Sequence, residues 1–176
     1  MNRFVGLLRG VNVGGKNTLP MAYLRDALDK TSFYGITTYI HSGNLVFNSK
    51  LDAAACEAII VEVLKVSFGL VVPVIVKEQA FFSEVLNGNP FKSQTLQSPK
   101  FMNYGFLKEI PSPDKVAAIA QSATDLERFE IINDVLYFYS NVGLGATKMT
   151  NNFFEKNLEV VCTMRNHNTT LKLVSL

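Results

Sequence analysis

Three glycines and two basic side chains fall within the segment Arg9-Gly10-Val11-Asn12-Val13-Gly14-Gly15-Lys16-Asn17. Glycine leaves backbone N–H groups free to turn toward an anion, and Arg9 and Lys16 bring the complementary charge. Gly10, Gly15 and Lys16 fit the opening of the phosphate-loop pattern G-x-x-x-x-G-K. The next residue in that pattern is Ser or Thr, whose hydroxyl holds Mg²⁺; here it is Asn17, with Thr18 one position late. No apolar run that reads as a strand ends in a metal-binding Asp, and a hairpin follows the first helix where that class needs a crossover to a parallel strand. A nucleoside triphosphatase of that class is therefore rejected. An anion-binding loop and a sharp turn remain as alternatives.

Two further polar clusters carry chemistry. His41-Ser42-Gly43-Asn44 sets a histidine beside a serine, but neighbours on an extended chain point to opposite faces and no acid stands near to orient the imidazole. A turn stitched by its own Ser42 and Asn44 side chains is the simpler reading. The tail Arg165-Asn166-His167-Asn168-Thr169-Thr170 places six hydrogen-bonding side chains in a row, where a helix cap needs only one. Arg165, with its bidentate fork, makes that surplus a candidate ligand contact. Gly143-Leu144-Gly145-Ala146-Thr147-Lys148 is a second small-residue loop and adds Lys148 as a candidate.

The elements that must position these clusters follow from periodicity. Residues 4–8 are a short apolar run ended by Arg9-Gly10, which fits a buried strand. Thr18 is placed to cap, and Met21, Leu24 and Leu28 recur at helical spacing. Residues 36–40 and 45–47 flank the His41–Asn44 turn as a hairpin. Asp52 opens a helix with Cys56, Ile59, Ile60, Val63 and Leu64 on one face, ending near Gly69, and residues 70–76 supply a strand. A helix on Phe81, Phe82, Val85 and Leu86 leads to a polar linker at residues 92–100. The order then repeats: strand 101–107, a helix opened by Ser112-Pro113-Asp114, a hairpin around Asn133-Asp134, a short helix at 152–157 and an apolar run at 158–162. This predicts an α+β protein of two ferredoxin-like β-α-β-β-α-β halves with antiparallel sheets and a C-terminal helical tail. The expected boundaries are 1–77, a connecting helix and linker at 78–100, and 101–176.

Composition limits the partners. The chain has 176 residues, 48% hydrophobic and 18% charged, with a formal net charge of +2. Such a sparsely charged chain folds rather than remaining disordered, and it lacks the basic field of a dedicated duplex binder. Cys56 and Cys162 belong to no metal-ligand or disulfide pattern, so they read as ordinary buried thiols and no metal or cofactor is expected. The uncharged apolar stretch at residues 66–76 is interrupted by Pro73 and too short for a membrane span, and the apolar run at the N-terminus is too short for a signal peptide. The expectation is a cytoplasmic protein without membrane contact.

Leu7-Leu8-Arg9-Gly10-Val11-Asn12-Val13-Gly14-Gly15-Lys16, Tyr39-Ile40-His41-Ser42-Gly43-Asn44-Leu45-Val46-Phe47 and Arg165-Asn166-His167-Asn168-Thr169 resemble the three signatures of the bacterial domain-of-unknown-function 1697 family. The resemblance spans essentially the whole chain and implies a cytoplasmic α+β protein of two ferredoxin-like halves. The chain departs from the family at His41, where Gln is frequent, and at His167, where Trp is frequent. That the three segments are the family's motifs implies that they form one site. The expected site is one for a small anionic or nucleotide-like ligand, made by Arg9, Asn12, Gly14, Gly15 and Lys16 with Ser42 and Asn44, closed by Arg165, Asn166, Asn168 and Thr169. The alternatives are a nucleic-acid module stacking bases on strand aromatics such as Phe47, and an interaction scaffold whose polar motifs bond to one another.

Overall fold

The computed structural model describes residues 1–176, which divide into two compact units: Met1–Ser83 with Leu173–Leu176, and Glu84–Lys172. The first contains β1 (Asn2–Leu8), α1 (Met21–Leu28), β2 (Tyr34–Tyr39), β3 (Asn44–Ser49), α2 (Ala53–Phe68) and β4 (Val74–Glu78). The helix α3 (Gln79–Asn87) carries the chain across the boundary. The second unit contains α4 (Lys92–Gln97), β5 (Met102–Leu107), α5 (Pro113–Ala120), β6 (Glu127–Ile132), β7 (Val135–Ser140), α6 (Asn151–Leu158), β8 (Cys162–Asn166) and the start of α7 (His167–Ser175).

Each unit has one four-stranded antiparallel sheet, in the orders β2-β3-β1-β4 and β6-β7-β5-β8. In the first, Phe4, Leu8, Leu45, Phe47 and Val76 alternate onto the face covered by Leu24 and Leu28 of α1 and Cys56, Ile60 and Leu64 of α2. Val5, Leu7, Val46 and Ile75, on the other face, are buried as well. The helix α2 forms because its start and stop are both specified. The Asp52 side chain accepts from the Ala55 N–H at 2.8 Å, and Gly69 adopts φ 64° while the Leu70 N–H returns to the Leu64 carbonyl. In the second unit Leu107, Leu136, Phe138 and Cys162 pack with Ile119, Phe154 and Leu158. Cys56 and Cys162 are both buried and form no disulfide.

Four elements sit differently from their sequence signals. The strand expected at residues 70–76 is β4, from Val74 onward, because Pro73 has no N–H for the ladder. The apolar run at 158–162 is not a strand: Leu158 ends α6, Glu159 takes φ 55° to cap it, and the strand is β8. Arg165 and Asn166 therefore belong to a strand end and α7 begins at His167. The polar stretch at 92–100 is not an open linker, since it forms α4 and a 3₁₀ turn at Pro99–Phe101. Thr18 does not cap α1, whose N-cap is Pro20 without a side-chain bond. No helix is long and apolar enough to cross a membrane.

Candidate functional site

β1 and β3 are antiparallel neighbours with Leu7 opposite Asn44, so the loop leaving β1 and the turn entering β3 meet at one sheet edge. The Leu8 N–H donates to the Gly43 carbonyl at 2.8 Å, and the Arg9 N–H to the Pro73 carbonyl at 2.9 Å. Gly43 has φ 76°, and a Cβ there would lie 2.6 Å from Val11 Cγ2 and 2.7 Å from Leu8 Cβ. Only glycine permits that approach.

Asn12 is the pin of the assembly. Its Nδ2 donates to the Leu19 carbonyl at 2.8 Å and to the His41 carbonyl at 2.7 Å, while its Oδ1 accepts from the Leu19 N–H at 2.7 Å. One side chain thus closes the base of the loop and ties it to the hairpin turn, so Asn12 positions rather than presents a ligand group. Beyond it the chain forms a miniature hairpin. The Asn12 N–H bonds the Asn17 carbonyl and the Lys16 N–H bonds the Val13 carbonyl, both at 3.1 Å, with Asn17 Nδ2 on the Gly10 carbonyl at 2.9 Å. Gly14 and Gly15, at φ 58° and 74°, make the two-residue turn, as primed turns require. The three glycines therefore do not converge as a phosphate cradle: Gly10 lies at the base and only Gly14 and Gly15 are at the tip. That tip is open, with space where either Cβ would stand, Val13 63% exposed, and Lys16 exposed with no ion-pair partner.

The turn bears the expected stitching: Asn44, fully buried, donates through Nδ2 to the Tyr39 carbonyl at 3.0 Å and to Ser42 Oγ at 2.9 Å. Between Tyr39 and His41, both held through their carbonyls, Ile40 takes φ 49° with its side chain half exposed. A left-handed β-branched residue is a genuine outlier. His41 is exposed and Arg9 half-buried.

The tail residues are built into the second unit. Arg165, opposite Tyr104 in the β5–β8 ladder and 9% exposed, donates through Nη1 to Thr163 Oγ1 and to the Met164 carbonyl, each at 2.9 Å. Asn166 caps α7, its Oδ1 accepting from the N–H of buried Thr169 at 2.8 Å, and Asn168 is exposed on the first turn. Lys148 is exposed after β7, beside buried Thr147 whose Oγ1 accepts from the Met149 N–H.

A polar cluster in the same unit escaped the sequence reading. Asn89 Nδ2 donates to Thr95 Oγ1 at 2.8 Å and to the Tyr104 hydroxyl at 3.3 Å, and that hydroxyl meets His167 Nδ1 at 2.8 Å. With Asn89 donating to the phenol oxygen, we assign the phenol proton to the bond with Nδ1, the arrangement in which His167 is the Nε2–H tautomer. Burial, with Tyr137 beside it, drives the Tyr104 pKa upward against the Asn89 hydrogen bond, and burial lowers that of His167. Both stay neutral near pH 7, so the pair is a hydrogen-bonded strut rather than an acid–base couple. The only advance signal was His167 itself.

Phe47, the strand aromatic expected to stack bases, offers no platform, although Tyr34 of β2 is 54% exposed. Phe47 is fully buried, with ring centroids 5.8 Å from Phe4 and 4.3 Å from Phe33, and Tyr104, Tyr137 and Tyr139 are buried. No group of His, Cys, Asp and Glu is arranged to hold a metal.

A family model described as "Protein of unknown function (DUF1697)" matches residues 1–137. Among solved structures, the conserved bacterial protein SP0830 from Streptococcus pneumoniae is similar with a TM-score of 0.78 and 22% identity, covering 99% of this chain and 97% of that one. At that identity the likeness establishes the fold. No curated protein matches the chain.

Proposed function

The chain belongs to the DUF1697 family, whose function is not known, and from that premise we propose that it binds a small anionic ligand at the tip of the loop between β1 and α1. The observation that carries this reading is a surplus. The second unit joins β5 to α5 through residues 108–112, whereas the first spends residues 9–20 on the topologically equivalent connection. The fold does not need the longer loop, and long ordered loops on a rigid scaffold are where binding groups concentrate. The Gly14 and Gly15 amides and the Lys16 ammonium supply donors and charge at its tip, with Arg9 at its base; Asn12 fixes the loop beforehand, which lowers the entropic cost of binding.

Amide chemical shifts test it. Titrating inorganic phosphate or pyrophosphate into the labelled protein should move the Gly14, Gly15 and Lys16 resonances, and Lys16→Ala should abolish the effect while changing stability by less than about 0.5 kcal/mol. A second reading is a contact element for a partner protein. The polar side chains are spent within the protein, Asn12 on the His41 carbonyl, Asn17 on the Gly10 carbonyl and Asn44 on the Ser42 hydroxyl, while Val13 is exposed, and this favours it. Unmoved Gly14 and Gly15 resonances at high phosphate would leave that reading standing and remove the first.

A further inference from the structure

We propose that Ile40 is the apolar contact of this same site, so that the ligand is an anion joined to a flat apolar ring, of the nucleoside-phosphate class, rather than a bare inorganic anion. The inference rests on the anion-loop reading and adds a specificity residue to it. Ile40 has φ 49°, a conformation in which an L-residue crowds its own Cβ against the following carbonyl and a β-branched one does so most. Glycine would sit there without strain. Nor does the side chain repay the strain by filling the core, since it is 50% exposed. What maintains the conformation is the hydrogen bonding on either side: Asn44 Nδ2 holds the Tyr39 carbonyl at 3.0 Å and Asn12 Nδ2 holds the His41 carbonyl at 2.7 Å. A residue kept strained by its neighbours, with its apolar surface turned to solvent, is the pattern found where the surface itself is used. The same Asn12 that anchors Ile40's neighbour closes the base of the Gly14–Gly15 tip, so the apolar group and the anion donors hang from one pin. Exposed Val13 adds apolar surface on the loop side.

Three probes separate the levels of the argument: inorganic phosphate, ribose 5-phosphate and adenosine monophosphate, each titrated against amide shifts and melting temperature. Phosphate is expected to perturb Gly14 and Gly15. Adenosine monophosphate is expected to bind at least about fivefold tighter than ribose 5-phosphate, the advantage that burial of a few tens of Å² of apolar surface supplies, and to shift Ile40. Ile40→Gly should then raise the melting temperature by relieving strain while the advantage of the ring disappears. Ile40→Asn, which also suits a left-handed position, should lose the advantage too. If phosphate and ribose 5-phosphate bind but the base adds nothing, or if Ile40→Gly keeps the full advantage, the inference is overturned and the anion site survives. If no phosphate compound perturbs Gly14 or Gly15, the site reading fails and this inference with it.

Discussion

The two units solve the same junction with different chemistry. In both, the residue ending the central strand donates to the turn before its neighbour strand, Leu8 N–H to Gly43 at 2.8 Å and Leu107 N–H to Asp134 at 2.9 Å. In both, the next residue donates to the segment before the outer strand, Arg9 N–H to Pro73 and Lys108 N–H to Val161, each at 2.9 Å. The second unit stops there: a two-residue turn at Asn133 and Asp134 and a short connection to α5 suffice. The first adds a loop that doubles back as a hairpin, a wider turn pressed onto it through Gly43, and an asparagine bridging them. Whatever the backbone clamps alone can hold together is therefore scaffold. The remainder, concentrated at residues 10–18 and 40–43, is what the first unit has beyond the demands of its topology.

The sharpest break of the comparison is at the turns. Gly43→Ala introduces a Cβ within 2.7 Å of two side-chain carbons at a positive φ, so overpacking and strain add to about 2–5 kcal/mol, read by denaturant unfolding. Asn133→Ala, also at positive φ but in the plain turn, should cost about 1 kcal/mol. Equal costs would show that the Gly43 contact is not a distinguishing feature of the first unit.

The next effect is at the pin. Asn12→Ala removes three hydrogen bonds and exposes the Leu19 and His41 backbone groups, for about 2–3 kcal/mol in denaturant unfolding. Amide exchange should quicken across residues 10–18 and 40–43 and stay unchanged at the β5–α5 connection. A uniform acceleration over both units would mean that Asn12 supports general stability and not the added loop.

How much of this was legible depends on the range of the interactions. The β-α-β-β-α-β order could be read because short apolar runs are bounded by Gly, Asn and Pro, and because Asp52 and Gly69 mark both ends of α2. The strands at 70–76 and 158–162 were misplaced where an apolar run outlasts its ladder, one stopped by Pro73 and the other by the turn at Glu159. The Gly14-Gly15 pair is conspicuous in the sequence, where an anion loop and a sharp turn are both open readings, and the fold makes the pair a two-residue hairpin turn. Asn12 has the residue type of a ligand contact; that its amide is used 29 positions away, on His41, is a tertiary fact no local pattern carries. Tyr104 and His167, 63 positions apart, are the same case.

The smallest effect sharpens the contrast between the two polar locks. Asn12 does not titrate, so the lock of the first unit should be indifferent to pH. The strut of the second unit does titrate. Burial holds the His167 pKa below the ordinary 6.5, so between those two values the unfolded chain binds more protons than the folded one and stability rises with pH. The contribution is fully present above about 6.5 and is lost as pH falls through the lowered folded pKa. Protonation at Nδ1 also takes away the acceptor for the Tyr104 hydroxyl and puts a cation on the first turn of α7, against the helix dipole. Tyr104 acts at the other end: burial raises its pKa, so its contribution stands below pH 10 and falls as pH climbs toward the folded value. Amide exchange followed between about pH 5 and 8, corrected for intrinsic rates, should therefore show the α7 start and the Asn89 turn loosening on the acid side while residues 10–18 do not respond. His167→Gln, whose side-chain carbonyl can still accept from Tyr104, should flatten that acid limb. An acid limb that persists unchanged in His167→Gln would assign it to other groups and leave the two locks alike in their indifference to pH.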